Sequence, residues 1–136
     1  MFLLDTNVVS EPYKARPDSA VIAWMRRQRK VDLSISVITV MELEIGIERL
    51  ARKDPEQAGC LQAWFHKAIL GGFSGRILPL DLQAARQCAP FHVPDPAPER
   101  DALIAATARA SGLTVVTRNV EDFHRFGVPL LNPFEG

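Results

Sequence analysis

The sequence predicts an α/β domain folded around a mostly parallel sheet, and three observations carry that prediction. Short apolar runs of strand length alternate with longer segments of helical period along the chain. No internal repeat or low-complexity tract interrupts the alternation. The 136 residues, 47% of them apolar, make one domain over positions 1–136. A chain of that size buries roughly two-thirds of its unfolded surface and needs no staples.

The elements follow in order. Residues 1–4 are an apolar run suited to a buried strand, broken by Asp5, Thr6 and Asn7. Pro17 and Asp18 open a helical stretch whose Val21, Ile22, Trp24 and Met25 are apolar, while Arg26, Arg27, Arg29 and Lys30 crowd its last turn. Residues 33–37 read as a second strand. Thr39, with Glu42 three positions on, gives a capping-box signature for a helix reaching about residue 52. Asp54 and Pro55 cap another helix, with Leu61, Trp64, Phe65, Ala68 and Ile69 on one face, and Gly71 and Gly72 stop it.

Residues 76–80 form a third strand, and Asp81 starts a short helix that cannot survive Pro90. Prolines at 90, 94, 96 and 98 make residues 91–98 an extended loop. Glu99 to Ser111 reads as a helix ended by Gly112. Residues 113–116 are a strand, a turn of helix follows through Phe123, and residues 128–131 add an edge strand before Asn132 and Pro133.

Composition excludes several classes of function. Lys and Arg total 16 against 16 Asp and Glu, so bulk charge does not recruit a polyanion, and such a partner needs a local patch. Cys60 and Cys88 are far apart and in neither a redox nor a metal spacing, which predicts reduced thiols in a core. Asp5 interrupts the first apolar run at once, leaving no signal-peptide apolar region, and no later stretch is long enough to cross a bilayer. The expected location is the cytoplasm, with no membrane contact.

In open α/β sheets functional groups gather at the carboxyl ends of the strands. The sequence delivers Asp5 to that edge after the first strand, Glu42 in the first turn of a helix, and Asn119, Glu121 and Asp122 after the strand ending near Thr117. Asp101 arrives on a helix, where it shares a face with Ile104, Ala105 and Ala108. Ala102, Ala105, Ala106 and Ala108 let that helix approach the sheet closely, bringing Asp101 toward the first and fourth strands. Burying such a carboxylate calls for a cation opposite it.

Converging carboxylates repel by about 4 kcal/mol per pair at 4 Å with an effective dielectric near 20, so they protonate or bind cations. His66, His92 and His124 stand singly, and an oxygen-only donor set suits Mg²⁺ or Mn²⁺ rather than zinc. Plainer readings stand beside each residue. Asp5 can cap a helix. The helical wheel leaves Glu42 and Glu44 equally placed. Asp101 can serve the helix dipole, and Asn119 with Asp122 can be a cap and its partner. Arg26, Arg27, Arg29 and Lys30 suit a phosphate-contacting patch, or simply the helix C-terminus. Trp24, Trp64 and Phe65 read as core or dimer contacts rather than base-stacking platforms.

Four segments together resemble PIN-domain ribonucleases of the VapC or FitB toxin type: Leu-Leu-Asp5-Thr6-Asn7, Ser-Val-Ile-Thr-Val-Met-Glu42-Leu-Glu-Ile-Gly46, Asp101-Ala-Leu-Ile-Ala-Ala-Thr-Ala, and Thr117-Arg118-Asn119-Val-Glu-Asp122-Phe. The resemblance implies a three-layer α/β/α fold and Mg²⁺- or Mn²⁺-dependent cleavage of RNA. It also implies a small DNA-binding antitoxin of the VapB kind as partner, and homodimers that pair again. By position, Asp5, Asp101 and Glu42 are implied metal ligands, Asp122 the fourth catalytic acid, and Thr6 and Thr117 hydroxyls that orient ligands or water. Asn119 stands where many relatives carry aspartate, and the proline-rich stretch between Asp81 and Asp101 is a few residues shorter than in FitB-like relatives.

The expected function is therefore a toxin endoribonuclease. A phosphoacceptor signalling domain also has acids at strand ends, but it needs a lysine after the last strand, and none follows Lys67. A haloacid-dehalogenase-like phosphatase needs a second aspartate where Asn7 stands. A catalytically inactive PIN-like binding module is the alternative that Asn119 keeps open.

Overall fold

A computed structural model describes residues 1–135. Five parallel strands form the sheet: β1 (Phe2–Leu4), β2 (Leu33–Ser36), β3 (Ile77–Leu78), β4 (Thr114–Val116) and β5 (Leu130–Leu131). Their order is β3-β2-β1-β4-β5. β1 is central, with Leu3 opposite Ser34 on one side and Val115 on the other. Successive side chains point to opposite faces, so Leu3 and Val115 enter one core while Leu4 and Val116 enter the other.

Helices cover both faces. The first core takes residues from α5 (Leu82–Cys88), α6 (Glu99–Ser111) and α7 (Val120–Phe123). The second takes them from α1 (Thr6–Val9), α2 (Ser19–Arg27) and the π-helical turns Phe65–Gly71 that extend α4 (Pro55–Trp64). Helix α3 (Val37–Ala51) gives Ile38 to the first core and Ile47 to the second. The result is the three-layer α/β/α arrangement with a parallel sheet. In α6, Ala102, Ala105, Ala106 and Ala108 are fully buried, as the small-residue face requires. Gly112 ends α6 in the left-handed region at φ 67°, which favours glycine.

Several boundaries differ from the sequence reading. β2 stops at Ser36, and α3 begins at Val37 with the Ser36 hydroxyl accepting from the Ile38 N–H at 3.0 Å. Thr39 is therefore inside the first turn, fully buried, and the capping box of Thr39 with Glu42 does not form. α2 ends at Arg27, so Arg29 and Lys30 lie beyond it; Arg29 pairs with Asp32 at 3.1 Å. β3 is two residues long, and the extended loop read over residues 91–98 begins two residues later, because Ala89–His92 form a 3₁₀ turn in which Pro90, near the start, sacrifices no bonded N–H. Cys88 is buried as expected, but Cys60 is exposed on α4.

Because all strands run the same way, their carboxyl ends share one edge. The chain moves outward from β1 through β2 and β3, then crosses to β4, so the topological switch lies between β1 and β4. Asp5 and Thr117 follow these two strands. Replacing the buried cap, Ser36→Ala, is expected to cost about 1–2 kcal/mol. A thermal melt lowered by about 4 °C would show it, whereas an unchanged melt would place the start of α3 elsewhere.

Candidate active site

The Asp5 N–H donates to the Val116 carbonyl at 2.8 Å, carrying the β1–β4 pairing one residue past β1. The Asp5 carboxylate is then buried directly over the switch. Oδ1 accepts from the Thr6 N–H at 2.8 Å. Oδ2 accepts from Thr117 Oγ1 at 2.7 Å and from Asn7 Nδ2 at 3.3 Å. Asp5 is thus a helix cap and, at the same time, a buried carboxylate at the switch. Three of the roughly four acceptor positions of a carboxylate are used, which leaves one without a protein donor among the described residues.

Glu42 reaches the same edge from α3. Its Oε1 accepts from Thr6 Oγ1 at 2.7 Å, and that hydroxyl also lies 3.3 Å from Thr39 Oγ1. Thr39 and Glu42 are three positions apart, so they share the helix face that meets α1. Glu44 is exposed and lines a shallow groove with Met41 and Glu48, away from Asp5. Packing thereby separates two glutamates that the helical wheel left level.

Asp101 stands in the first turn of α6 and is partly buried. Among the described residues it takes part in no hydrogen bond or ion pair. The cation expected opposite it faces Glu42 instead: Arg100 Nη1 lies 3.8 Å from Glu42 Oε2. No spacing signal in the sequence pointed to Arg100. Asp122 is exposed on α7, yet its charge is felt at Asp101. Asn119 contributes its backbone N–H, which donates to Thr117 Oγ1 at 3.0 Å. Asp5 and Glu42 therefore meet through Thr6, and the charges of Asp5, Glu42 and Asp122 all bear on Asp101.

Arg26, Arg27, Arg29 and Lys30 do not join them. They lie just before β2 begins, at the amino edge of the sheet, where Arg26 and Lys30 border an apolar groove with Ile22, Met25 and Phe73. Trp24 and Phe65 are core residues, and Trp64 packs on Tyr13 with ring centroids 5.1 Å apart.

A family model described as PIN domain matches residues 2–129. The chain belongs to the PIN domain family. It is 38% identical over 140 residues to the VapC ribonuclease Y4jK of Sinorhizobium fredii, covering 99% of both chains. It is also 38% identical over 140 residues to Toxin FitB of Neisseria gonorrhoeae, covering 98% of this chain and 99% of that one. The crystal structure of FitAcB from Neisseria gonorrhoeae superposes with a TM-score of 0.91 at 35% identity over all of both chains.

The acids of this PIN domain hold one another at an electrostatic cost. Burial raises the Asp5 carboxyl above its usual range, opposed by its hydrogen bonds to Thr117 and Thr6 and reinforced by the charge of Glu42. Burial raises Asp101 to about 6, with Asp5, Asp122 and Glu42 adding repulsion. Among the described residues no three carboxylates close into a ready-made cage. Magnesium does not need one, since it keeps several waters and is held by one or two carboxylates. A set of carboxylate oxygens without histidine or cysteine, one undonated acceptor position on Asp5 and an uncommitted Asp101 side chain fit such an ion.

Asp101 loses its proton less readily folded than unfolded, where the usual value is 3.8. Stability tied to its protonated form is complete below that value and is lost as the pH rises to about 6. Asp101→Asn is therefore expected to stabilise the metal-free protein at pH above about 7, by about 1 kcal/mol once partial exposure is allowed for. Thermal melts of both proteins across pH test this; a gain that persisted undiminished in acid would contradict it.

Proposed function

We propose that this PIN domain is a Mg²⁺- or Mn²⁺-dependent endoribonuclease, the toxin of a type II toxin–antitoxin pair. The observation that carries the reading is that Asp5, held by Thr117 across the β1/β4 switch, and Glu42 share Thr6 as a donor, with the side chain of Asp101 repelled by both and left without a partner among the described residues. The names of the relatives, a VapC ribonuclease and a toxin, support the same reading. A bound divalent ion supplies the acidity that activates water and the positive charge that offsets the scissile phosphate.

The chain's own groups do the positioning. Thr117 and Asn7 fix Asp5 through Oδ2, and Thr6 through Oδ1. Thr6 and Arg100 hold the two oxygens of Glu42 from opposite sides. Asp101 and Asp122 complete the acidic wall, the latter supplying charge where Asn119 has none. In-line attack of water on the phosphodiester forms one P–O bond and breaks the P–O3′ bond, leaving a 5′-phosphate and a 3′-hydroxyl.

A toxin of this type acts on RNA in the cytoplasm and is restrained by a small DNA-binding antitoxin of the VapB kind, with the toxin homodimeric and paired again in the complex. Among the described residues no helix is long and apolar enough to cross a membrane.

Asp5→Asn is expected to reduce metal-dependent RNA cleavage by at least about a hundredfold while leaving the melt near or above that of the wild type. Mn²⁺ should stabilise the wild type by linkage, by about 2.7 kcal/mol at a hundred times its dissociation constant, and so raise its melting temperature. Cleavage that continued in excess EDTA would contradict the nuclease reading. Absence of Mn²⁺ binding heat would favour an inactive binding module.

A further inference from the structure

The nuclease reading leaves open how a chain with no net charge holds a polyanion beside four carboxylates. The basic run at residues 26–30 faces the other edge of the sheet. The geometry points to Arg118 as the residue that grips an RNA backbone phosphate next to the cleavage site.

Arg118 leaves the carboxyl end of β4 between two residues tied to the acid pocket. Thr117, before it, donates to Asp5 Oδ2, and Asn119, after it, donates its N–H to Thr117 Oγ1. The Arg118 N–H itself donates to Asn7 Oδ1 at 3.1 Å, and the same amide donates through Nδ2 to Asp5 Oδ2. One asparagine side chain therefore sets the Arg118 backbone relative to the buried carboxylate.

The side chain is held as well. Its guanidinium carbon lies 4.3 Å from the centroid of the Phe134 ring, in a cation–π stack. Two other arginines lie over aromatic rings, and both spend donors on the protein. Arg76 lies over Phe73 and donates to the Leu33 and Gly72 carbonyls. Arg125 lies over Phe126 and donates to the Asp95 carbonyl at 3.5 Å. The Arg118 guanidinium has no hydrogen bond or ion pair among the described residues, and the neighbouring Glu11 is already paired with Lys14 at 2.9 Å.

Arg118 is thus exposed and stacked, with its donor edge uncommitted. A guanidinium held over a ring with its donors unspent is suited to bidentate phosphate recognition, because less rotamer freedom remains to be lost on contact. The ligand class is the phosphodiester backbone of single-stranded RNA, read without regard to base. Arg118 binds substrate; it moves no proton.

The inference rests on the nuclease reading, and the test separates the two. Binding of a labelled single-stranded RNA to Asp5→Asn protein is measured by fluorescence anisotropy over a range of salt, with and without Arg118→Ala. Loss of one phosphate contact should weaken binding on the order of tenfold and flatten the slope of log K against log salt by about 0.7. In otherwise wild-type enzyme the same substitution should raise KM on the order of tenfold and leave kcat within about threefold. Arg118→Lys should restore the salt slope but only part of the affinity.

Arg109→Ala, at the far end of α6, is the control for general charge loss. An unchanged slope in Arg118→Ala, a loss matched by Arg109→Ala, or no RNA binding by the Asp5→Asn protein would overturn the proposal. Normal phosphate binding through Arg118 without metal-dependent cleavage by the wild type would instead overturn the nuclease reading alone.

Discussion

The buried hydrogen bond from Thr117 Oγ1 to Asp5 Oδ2, at 2.7 Å, joins residues 112 positions apart and closes the switch between β1 and β4. A carboxylate that is 6% exposed must be solvated by protein donors or lose its charge. Asp5 receives three such donors, and each is itself held by the fold: the Thr6 N–H by α1, Thr117 by the end of β4, Asn7 by its contact with the Arg118 backbone. Sheet register and site geometry are consequently one constraint. A slip of one residue in β4 would move Thr117 to the other face of the sheet and leave Asp5 short of a donor where desolvation is greatest.

The same edge carries an uncompensated charge. Asp101 is repelled by Asp5, Asp122 and Glu42, and the one arginine nearby, Arg100, is spent on Glu42. The close packing of α6, made possible by Ala102, Ala105, Ala106 and Ala108, holds Asp101 in that field. Larger side chains there would lift the helix and relax the repulsion. The fold therefore maintains strain at its functional edge through contacts in its core, the arrangement expected when local stability is sacrificed for binding.

Much of this was legible in the chain. Asp5 follows an apolar run directly, and the buried alanine face of residues 102–108 sets how closely the helix carrying Asp101 approaches the sheet, so the places of these two acids in the fold follow from sequence pattern and the rule that loops gather at strand carboxyl ends. Glu42 was readable only as one of a pair with Glu44, because a helical wheel carries no information on which flank meets α1; the Thr6 hydroxyl decides it. The capping box misled for a similar reason. Ser36 and Thr39 are both good caps by type, and strand length, a tertiary property, selects Ser36. The basic residues at 26–30 are plain in the sequence, but the edge they occupy depends on strand direction. Arg100 carried no signal, since residues adjacent in a helix point about 100° apart and its partner is 58 positions away.

Position rather than number of cations is what a neutral chain has to work with. Arg29, Arg76 and Arg125 each give donors to a carboxylate or a carbonyl, which removes those donors from any role at a polyanion, and Arg100 is ion-paired with Glu42 at 3.8 Å. Arg118 is stacked instead of bonded, and its backbone is anchored to the acid pocket through Asn7. A cation bonded to Asp101 would quench the field that favours a divalent ion, whereas one held aside on an aromatic ring leaves that field intact. On the proposed function, Arg118 would then hold an anion and the acids a cation without neutralising each other. Screening by salt acts on the exposed arginine far more than on the buried Asp5, so ionic strength governs how firmly the polyanion is held while the acid pocket keeps its form.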